Sequence, residues 1–257
     1  NVNPSTSSGR FLRLHSGQLP FWHPLGRGIW LFVYLLICSI LVQVEISWLG
    51  HSSFKLKGRE VTVVTDPFGP MVGLKYPKVE AQIVTVSHEH EDHNQIGLVS
   101  GQPFVVNSPG EYEVKGVSVF GVGSWHDEES GAKRGRNTIF VIEMDGVKVC
   151  HLGDLGHKLP ETTVEEITSI DVLLTPVGGI YTIGPKEAVE VISQLEPSIV
   201  VPMHYKTDGG QTFASLATVD EFLREMGVEK NLQPKLSVSH DKLPEEMMVV
   251  VLERKGS

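Results

Sequence analysis

The sequence predicts an α+β fold, two β-sheets packed together with helices outside, and three observations carry that prediction. Short strand-like runs follow one another from Val44 almost to the C terminus. Only two segments show clear helical periodicity. No repeat, linker or low-complexity stretch divides residues 44–257, so they read as one domain. A hydrophobic content of 40% beside 21% charged residues is that of a chain able to bury a substantial core.

In chain order, "VEISWLG", "SSFKLKG" and "EVTVVTDP" read as strands closed by Gly50, Gly58 and Pro67. "AQIVTVS" is a buried strand, and "PFVVN", "EYEVKG" and "VSVFGVG" continue in strand with Pro109-Gly110 and Gly116 as punctuation. "NTIFVIEMDGVKVCHLGD" has the pattern of a hairpin, with Asp145-Gly146 at its turn. "DVLLTPVGG" and "SIVVPMHY" are buried strands, and "EEMMVVVLER" closes the chain as a last one. The helices are expected over Lys186 to Leu195, with Pro185 in the first turn, and over Leu216 to Met226, ended by Gly227.

Residues 1–43 differ in kind and are read as an N-terminal extension outside the fold. The first 44 residues hold no Asp or Glu, so all 31 acidic residues lie downstream. Ile29 to Val42, "IWLFVYLLICSILV", is uncharged throughout. That is short for a membrane span of about 20 residues and closer to a signal-peptide apolar region of roughly 7–15, yet no small-residue cleavage site follows. Three readings stay open: an upstream-extended translation with the start near Val42 or Val44, an apolar anchor, and a cleaved signal.

The net charge of -9 and the lack of any basic tract argue against a protein held to nucleic acid by phosphate contacts. The two cysteines, Cys38 and Cys150, form no C-x-x-C pair, which argues against a thiolate zinc knuckle and fits a reducing compartment. A cytoplasmic location is therefore expected, with membrane attachment through residues 29–42 as the alternative.

The most informative stretch is "TVSHEHEDHN", where His88, His90, Asp92 and His93 form the pattern H-x-H-x-D-H directly after an apolar run. In extended backbone, residues two apart face the same side, so His88 and His90 can grip one cation together. The chain then turns toward a helix, and Asp92 and His93 can face a second position. A cation needs about four ligands. His126, Asp154 and His204 are the candidates to complete the set, since each ends an apolar run beside Gly, Ser or Pro. Imidazole and carboxylate without thiolate suit Zn²⁺, and Mn²⁺ or Fe²⁺ would accept the same donors. His51, His151 and Asp66 lie near these positions and read equally well as supporting groups or as ordinary turn and core residues.

The stretches "ISWLGHSSFKLKG", "VVTDPF", "VTVSHEHEDHNQI", "SWHDEESGAKRGRNTIFVIE", "HLGDLGH", "TPVGG" and "VPMHY" together resemble the metallo-β-lactamase superfamily. Within it they are most similar to the compact hydrolases related to L-ascorbate-6-phosphate lactonase and N-acyl-phosphatidylethanolamine phospholipase D. The resemblance covers residues 45 to about 206. It implies a four-layer αβ/βα sandwich and two divalent cations, with His88, His90 and His126 on one, Asp92, His93 and His204 on the other, and Asp154 bridging. It implies a hydrolase that activates water against a small anionic ester, lactone or phosphodiester, with Asp92 orienting the water and shuttling its proton. Arg136 and Asn137 from "KRGRN", together with Thr182 and Tyr205, are the expected substrate contacts. Two alternatives are a catalytically weak or regulatory metal-binding member and a nuclease; the acidic charge weighs against the second. Substrate, native metal and oligomeric state are not readable from the residues.

Overall fold

The computed structural model describes residues 43–207 and 214–255, so the N-terminal extension expected over residues 1–43 lies, but for Gln43, outside the described residues. Two sheets dominate. The first holds six strands in the spatial order Leu236–Val238, Val44–Gly50, Ser53–Lys57, Thr62–Thr65, Ile83–Thr85, Phe104–Val106. The second holds seven in the order Met248–Val249, Ile199–Met203, Val172–Pro176, Val147–His151, Arg136–Met144, Val117–Trp125, Gly110–Val114.

Alternation within the strands makes the sandwich, because successive side chains point to opposite faces. Ile46, Phe54, Leu56, Val63 and Ile83 of the first sheet meet Phe140, Ile142, Val149, Leu174 and Val201 of the second in one core. The opposite face of the second sheet, through Val122, Ile139, Cys150, Leu173 and Val200, is covered by the helices Pro185–Leu195 and Val219–Met226. Helix Pro185–Leu195 buries Ala188, Val191, Ile192 and Leu195. Helix Val219–Met226 starts at a capping box in which Glu221 N–H donates to the Thr218 hydroxyl and Thr218 N–H to the Glu221 carboxylate. That cap starts the helix three residues later than the apolar pattern beginning at Leu216 suggests.

The outer face of the first sheet, through Leu49, Val64, Val84 and Val86, carries a thinner cover among the described residues. It packs against Val79, Ala81 and Val99, from a two-stranded pair and its flank, and against Tyr76 and Ile96 at its edge. The fold is thus an α+β sandwich of the expected class. The helix expected after the histidine turn is instead a single 3₁₀ turn, Ile96–Leu98. The C-terminal strand is split in two: Met248–Val249 pairs with Ile199–Met203, and Val251–Leu252 pairs with Leu232–Gln233. The hairpin turn falls where expected, with Asp145 at φ 50° and Gly146 at φ 78°.

Strand direction decides where the site forms. In the first sheet, Thr62–Thr65 and Ile83–Thr85 are parallel, and Val44–Gly50 runs the same way because both it and Thr62–Thr65 are antiparallel to Ser53–Lys57. In the second, Val147–His151, Val172–Pro176 and Ile199–Met203 are parallel, and Val117–Trp125 shares their direction through the antiparallel Arg136–Met144. The carboxyl ends of these strands deliver His51, Asp66, His88, His126, Asp154 and His204 to one edge of the sandwich. Open sheets bind ligands at such an edge.

Candidate metal centre

The H-x-H-x-D-H run leaves strand Ile83–Thr85 and closes into a turn in which His93 N–H and Asn94 N–H both donate to the His90 carbonyl, at 2.9 and 3.1 Å. This folding splits the run between two clusters. His88, His90 and His126 present ligand atoms within 4.8 Å of one another, and so do His51, Asp92, His93 and His204. Asp154 stands between them: its Oδ2 lies 3.2 Å from His93 Nε2 and 3.3 Å from Nε2 of both His126 and His204. One carboxylate oxygen therefore faces imidazoles of both clusters.

Hydrogen bonds set the orientation of His88 and His93 and the path of the Asp154 loop. The Ser87 hydroxyl donates its only proton to Asp66 Oδ2, at 2.5 Å. His88 Nδ1, 2.9 Å from the same hydroxyl, must then be the N–H donor, which leaves the Nε2 lone pair toward the cluster. His93 Nδ1 donates to Asp66 at 2.9 Å, and Ser87 N–H donates to the other Asp66 oxygen at 2.8 Å. Asp66, fully buried, is therefore the group that orients His93. His151 Nε2 donates to the Ser52 carbonyl at 2.7 Å, and its Nδ1 accepts from Gly153 N–H, so it ties the Asp154 loop to the first sheet.

The glycines of "HLGDLGH" are dictated by crowding at this loop. A Cβ on Gly153, at φ 57°, would stand 2.3 Å from Asn137 Oδ1, and one on Gly156 would stand 2.3 Å from the His126 carbonyl carbon. The Asn137 oxygen that fills this space accepts from Asp154 N–H at 2.9 Å, and its amide donates to Ser124 Oγ and the Leu152 carbonyl. Asn137 is buried scaffolding beneath Asp154.

Electrostatics follow from burial and the carboxylates. Burial drives His88 down to about 3 and His51 to about 4, so both are neutral and able to donate a lone pair at pH 7. Burial also pulls His90 down. For His93 burial works against the charge, but Asp154 and Asp66 on its two sides outweigh it and raise the pKa well above the ordinary value. In the metal-free protein that ring carries a proton between two carboxylates, the proton a cation would displace. Burial likewise opposes ionisation of Asp92 and Asp154, yet both are held below the ordinary range. For Asp92 the His51 hydrogen bond together with the charges of His93 and His51 outweighs burial, and for Asp154 the charges of His204 and His93 together with the hydrogen bonds from His126 and His204 do.

The donor set fits a divalent cation. His88 Nε2 is buried without a hydrogen-bond partner among the described residues, and an orphaned imidazole nitrogen in such a cluster is what a cation would satisfy. The sequence alone does not distinguish a site role from a turn role for His51. The structure sets its Nε2 3.2 Å from Asp92 Oδ2 and its ring 4.2 Å from that of His204, within the second cluster. His51, Asp66 and His204 take left-handed backbone, at φ 52°, 38° and 50°; such strain gathers at functional sites.

The substrate residues expected from the sequence are placed differently from one another. A cavity of about 350 Å³ opens over the clusters, lined by His90, Asp92, His126, Asp154 and His204, and also by Arg134 and Tyr181. Arg136, exposed at the start of its strand, is not part of that lining. Asn137 lies beneath the centre. Thr182 faces an adjoining cavity that shares His126, Arg134 and Tyr181. Tyr205 packs into the core, its ring 5.2 Å from Trp48, because left-handed His204 turns the chain away from the site.

A sequence profile for the β-lactamase superfamily domain matches residues 45–204. A UPF0173 metal-dependent hydrolase of Thermococcus onnurineus is 34% identical over 193 residues, 64% of this chain and 86% of that protein. One from Methanoculleus marisnigri is 37% identical over 187 residues, 64% of this chain and 82% of that protein. Among solved structures, a candidate Zn-dependent hydrolase of the metallo-β-lactamase superfamily from Thermotoga maritima superposes with a TM-score of 0.67 at 44% identity, covering 81% of this chain and 98% of that one. A metallo hydrolase from Ignicoccus hospitalis shares the fold at a TM-score of 0.55 and 23% identity, over 76% and 97% of the two chains.

Proposed function

Because the chain belongs to the metallo-β-lactamase superfamily and is a metal-dependent hydrolase, we propose that it uses two divalent cations, with zinc as the native metal, to hydrolyse a small anionic ester, lactone or phosphodiester. His88, His90 and His126 would hold one cation and Asp92, His93 and His204 the other, with Asp154 shared. The observation that carries the reading is Asp154 Oδ2, within 3.3 Å of imidazoles from both clusters. When bound, the cations supply Lewis acidity, bringing the pKa of water near neutrality and offsetting charge that develops on the attacked group.

The remaining work falls to this chain's own side chains. The Asp92 carboxylate lines the cavity with one oxygen held by His51, placed to take the proton of the attacking water. Water adds its oxygen to the acyl carbon or phosphorus, the bond to the leaving oxygen breaks, and that oxygen receives the proton relayed by Asp92. Asp66 and Asn137 fix His93 and the Asp154 loop, so the donors need not reorganise during turnover. Among the described residues no helix is long and apolar enough to cross a membrane. A membrane partner would act through residues 29–42.

The test is a panel of small carboxylic esters, lactones and phosphodiesters assayed with zinc-loaded protein and again after strong chelation. Turnover of at least one class, lost on chelation and restored by zinc, is expected. Turnover that survives complete metal removal would refute the reading.

A further inference from the structure

Directly after His126, the chain forms a loop built around one carboxylate. Asp127, buried, accepts backbone N–H bonds from Glu129 at 2.8 Å, Gly131 at 2.9 Å, Lys133 at 3.0 Å and Arg134 at 2.7 Å. Four charge-assisted bonds to one side chain fix the path of residues 127–134 more firmly than a loop of ordinary turns. Two cations sit at its end, and they differ. Lys133 also lines the cavity over the clusters, but it is well exposed and paired with Glu129 at 2.5 Å, so most of its charge is screened by solvent and by that partner. Arg134 is half-buried, and its guanidinium lies 5.6 Å over the Tyr181 ring. Among the described residues that guanidinium has no carboxylate partner, in a chain of net charge -9. Both Arg134 and Tyr181 line the cavity over the clusters.

A half-buried guanidinium, set over an aromatic face at the wall of an open cavity, is organised for a planar or tetrahedral oxyanion, because its fork of N–H donors matches carboxylate and phosphate oxygens. We infer that Arg134 is the specificity-determining residue, and that the substrate carries an oxyanion group, carboxylate or phosphate, set apart from the bond that is cleaved. The inference rests on the hydrolase reading above and adds to it the chemistry of the substrate's far end. The cavity, about 350 Å³, is of the size that takes a small molecule.

The experiment compares a neutral 4-nitrophenyl ester with analogues whose acyl chain ends in a carboxylate or in a phosphate, using the full-length zinc-loaded protein. Wild type is expected to favour at least one anionic analogue through a lower KM. Arg134→Gln should raise KM for that analogue by about 10- to 100-fold, as loss of a hydrogen-bonded charge contact does, with kcat little changed. The neutral ester should respond to neither charge nor substitution. Arg134→Lys should recover only part of the loss, since it keeps the charge but not the planar fork. The analogue with the larger response identifies the oxyanion. Equal KM values for neutral and anionic esters in wild type, or equal losses on all of them in Arg134→Gln, would overturn the inference while leaving the hydrolase intact. Failure of the metal-loaded wild type on every ester, and on the broader panel above, would remove the hydrolase reading and the inference with it.

Discussion

Asp154→Asn is expected to lower kcat by roughly a thousand-fold or more while the protein stays folded. The substitution is nearly isosteric, and the bonds that hold the loop survive it, because Asp154 contributes its backbone N–H to Asn137 and the Ser52 hydroxyl can still donate to the remaining oxygen. What is lost is the negative charge facing His93, His126 and His204 at 3.2–3.3 Å. Two cations sharing a neutral amide oxygen would repel with less to offset them, so affinity at one position should fall along with activity. Asp145→Asn is the matched control. Asp145 sits in the hairpin turn at φ 50° and accepts from Arg59 N–H at 2.7 Å, and asparagine tolerates that backbone and supplies the same acceptor. Steady-state kinetics on the two variants should show a large loss in the first and almost none in the second. Similar mild losses in both, with metal content unchanged, would reduce Asp154 to a strand-end cap.

Asp66→Ala should be the most damaging change away from the proposed ligands. Asp66 is fully buried and accepts from Ser87 N–H, the Ser87 hydroxyl and His93 Nδ1. Burial raises the cost of its charge, but the charges of His151 and His93 and the His93 hydrogen bond more than compensate and keep its pKa below the ordinary value. Removing it strands three donors in a dry interior and leaves alanine at φ 38°. The expected loss is about 3–5 kcal/mol of unfolding free energy, read from urea melts of the metal-stripped protein. Metal affinity should fall about 10- to 100-fold, because His93 is no longer oriented. Asp66→Asn, which keeps an acceptor and tolerates the backbone, should be milder on stability. Unaltered metal binding in both variants would mean that Asp66 only caps its strand.

The residues of the candidate centre were legible because the H-x-H-x-D-H run, His126, Asp154 and His204 each follow an apolar run, and strand direction then carries those run ends to one edge. His51 obeys the same rule, following "ISWLG", but its link to Asp92 spans two strands of the first sheet and no local signal marks it. The substrate side was harder to read. Arg134, Arg136 and Asn137 lie within four positions, and which one faces the cavity depends on Asp127 gathering the backbone of the loop before them. Tyr205 follows His204 in sequence, yet the left-handed turn at His204 sends it to Trp48 instead of the cavity. The helix start differs from the apolar pattern for a related reason: periodicity continues through Leu216, but the Thr218–Glu221 capping box sets the start at Val219.

Sharing of Asp154 by two cations is tested most directly by elemental analysis of the purified full-length protein after loading with excess zinc and removal of unbound metal. Close to two metal ions per chain are expected in wild type, and fewer in Asp154→Asn. One ion or none in wild type, with every proposed ligand in place, would contradict the shared-carboxylate centre.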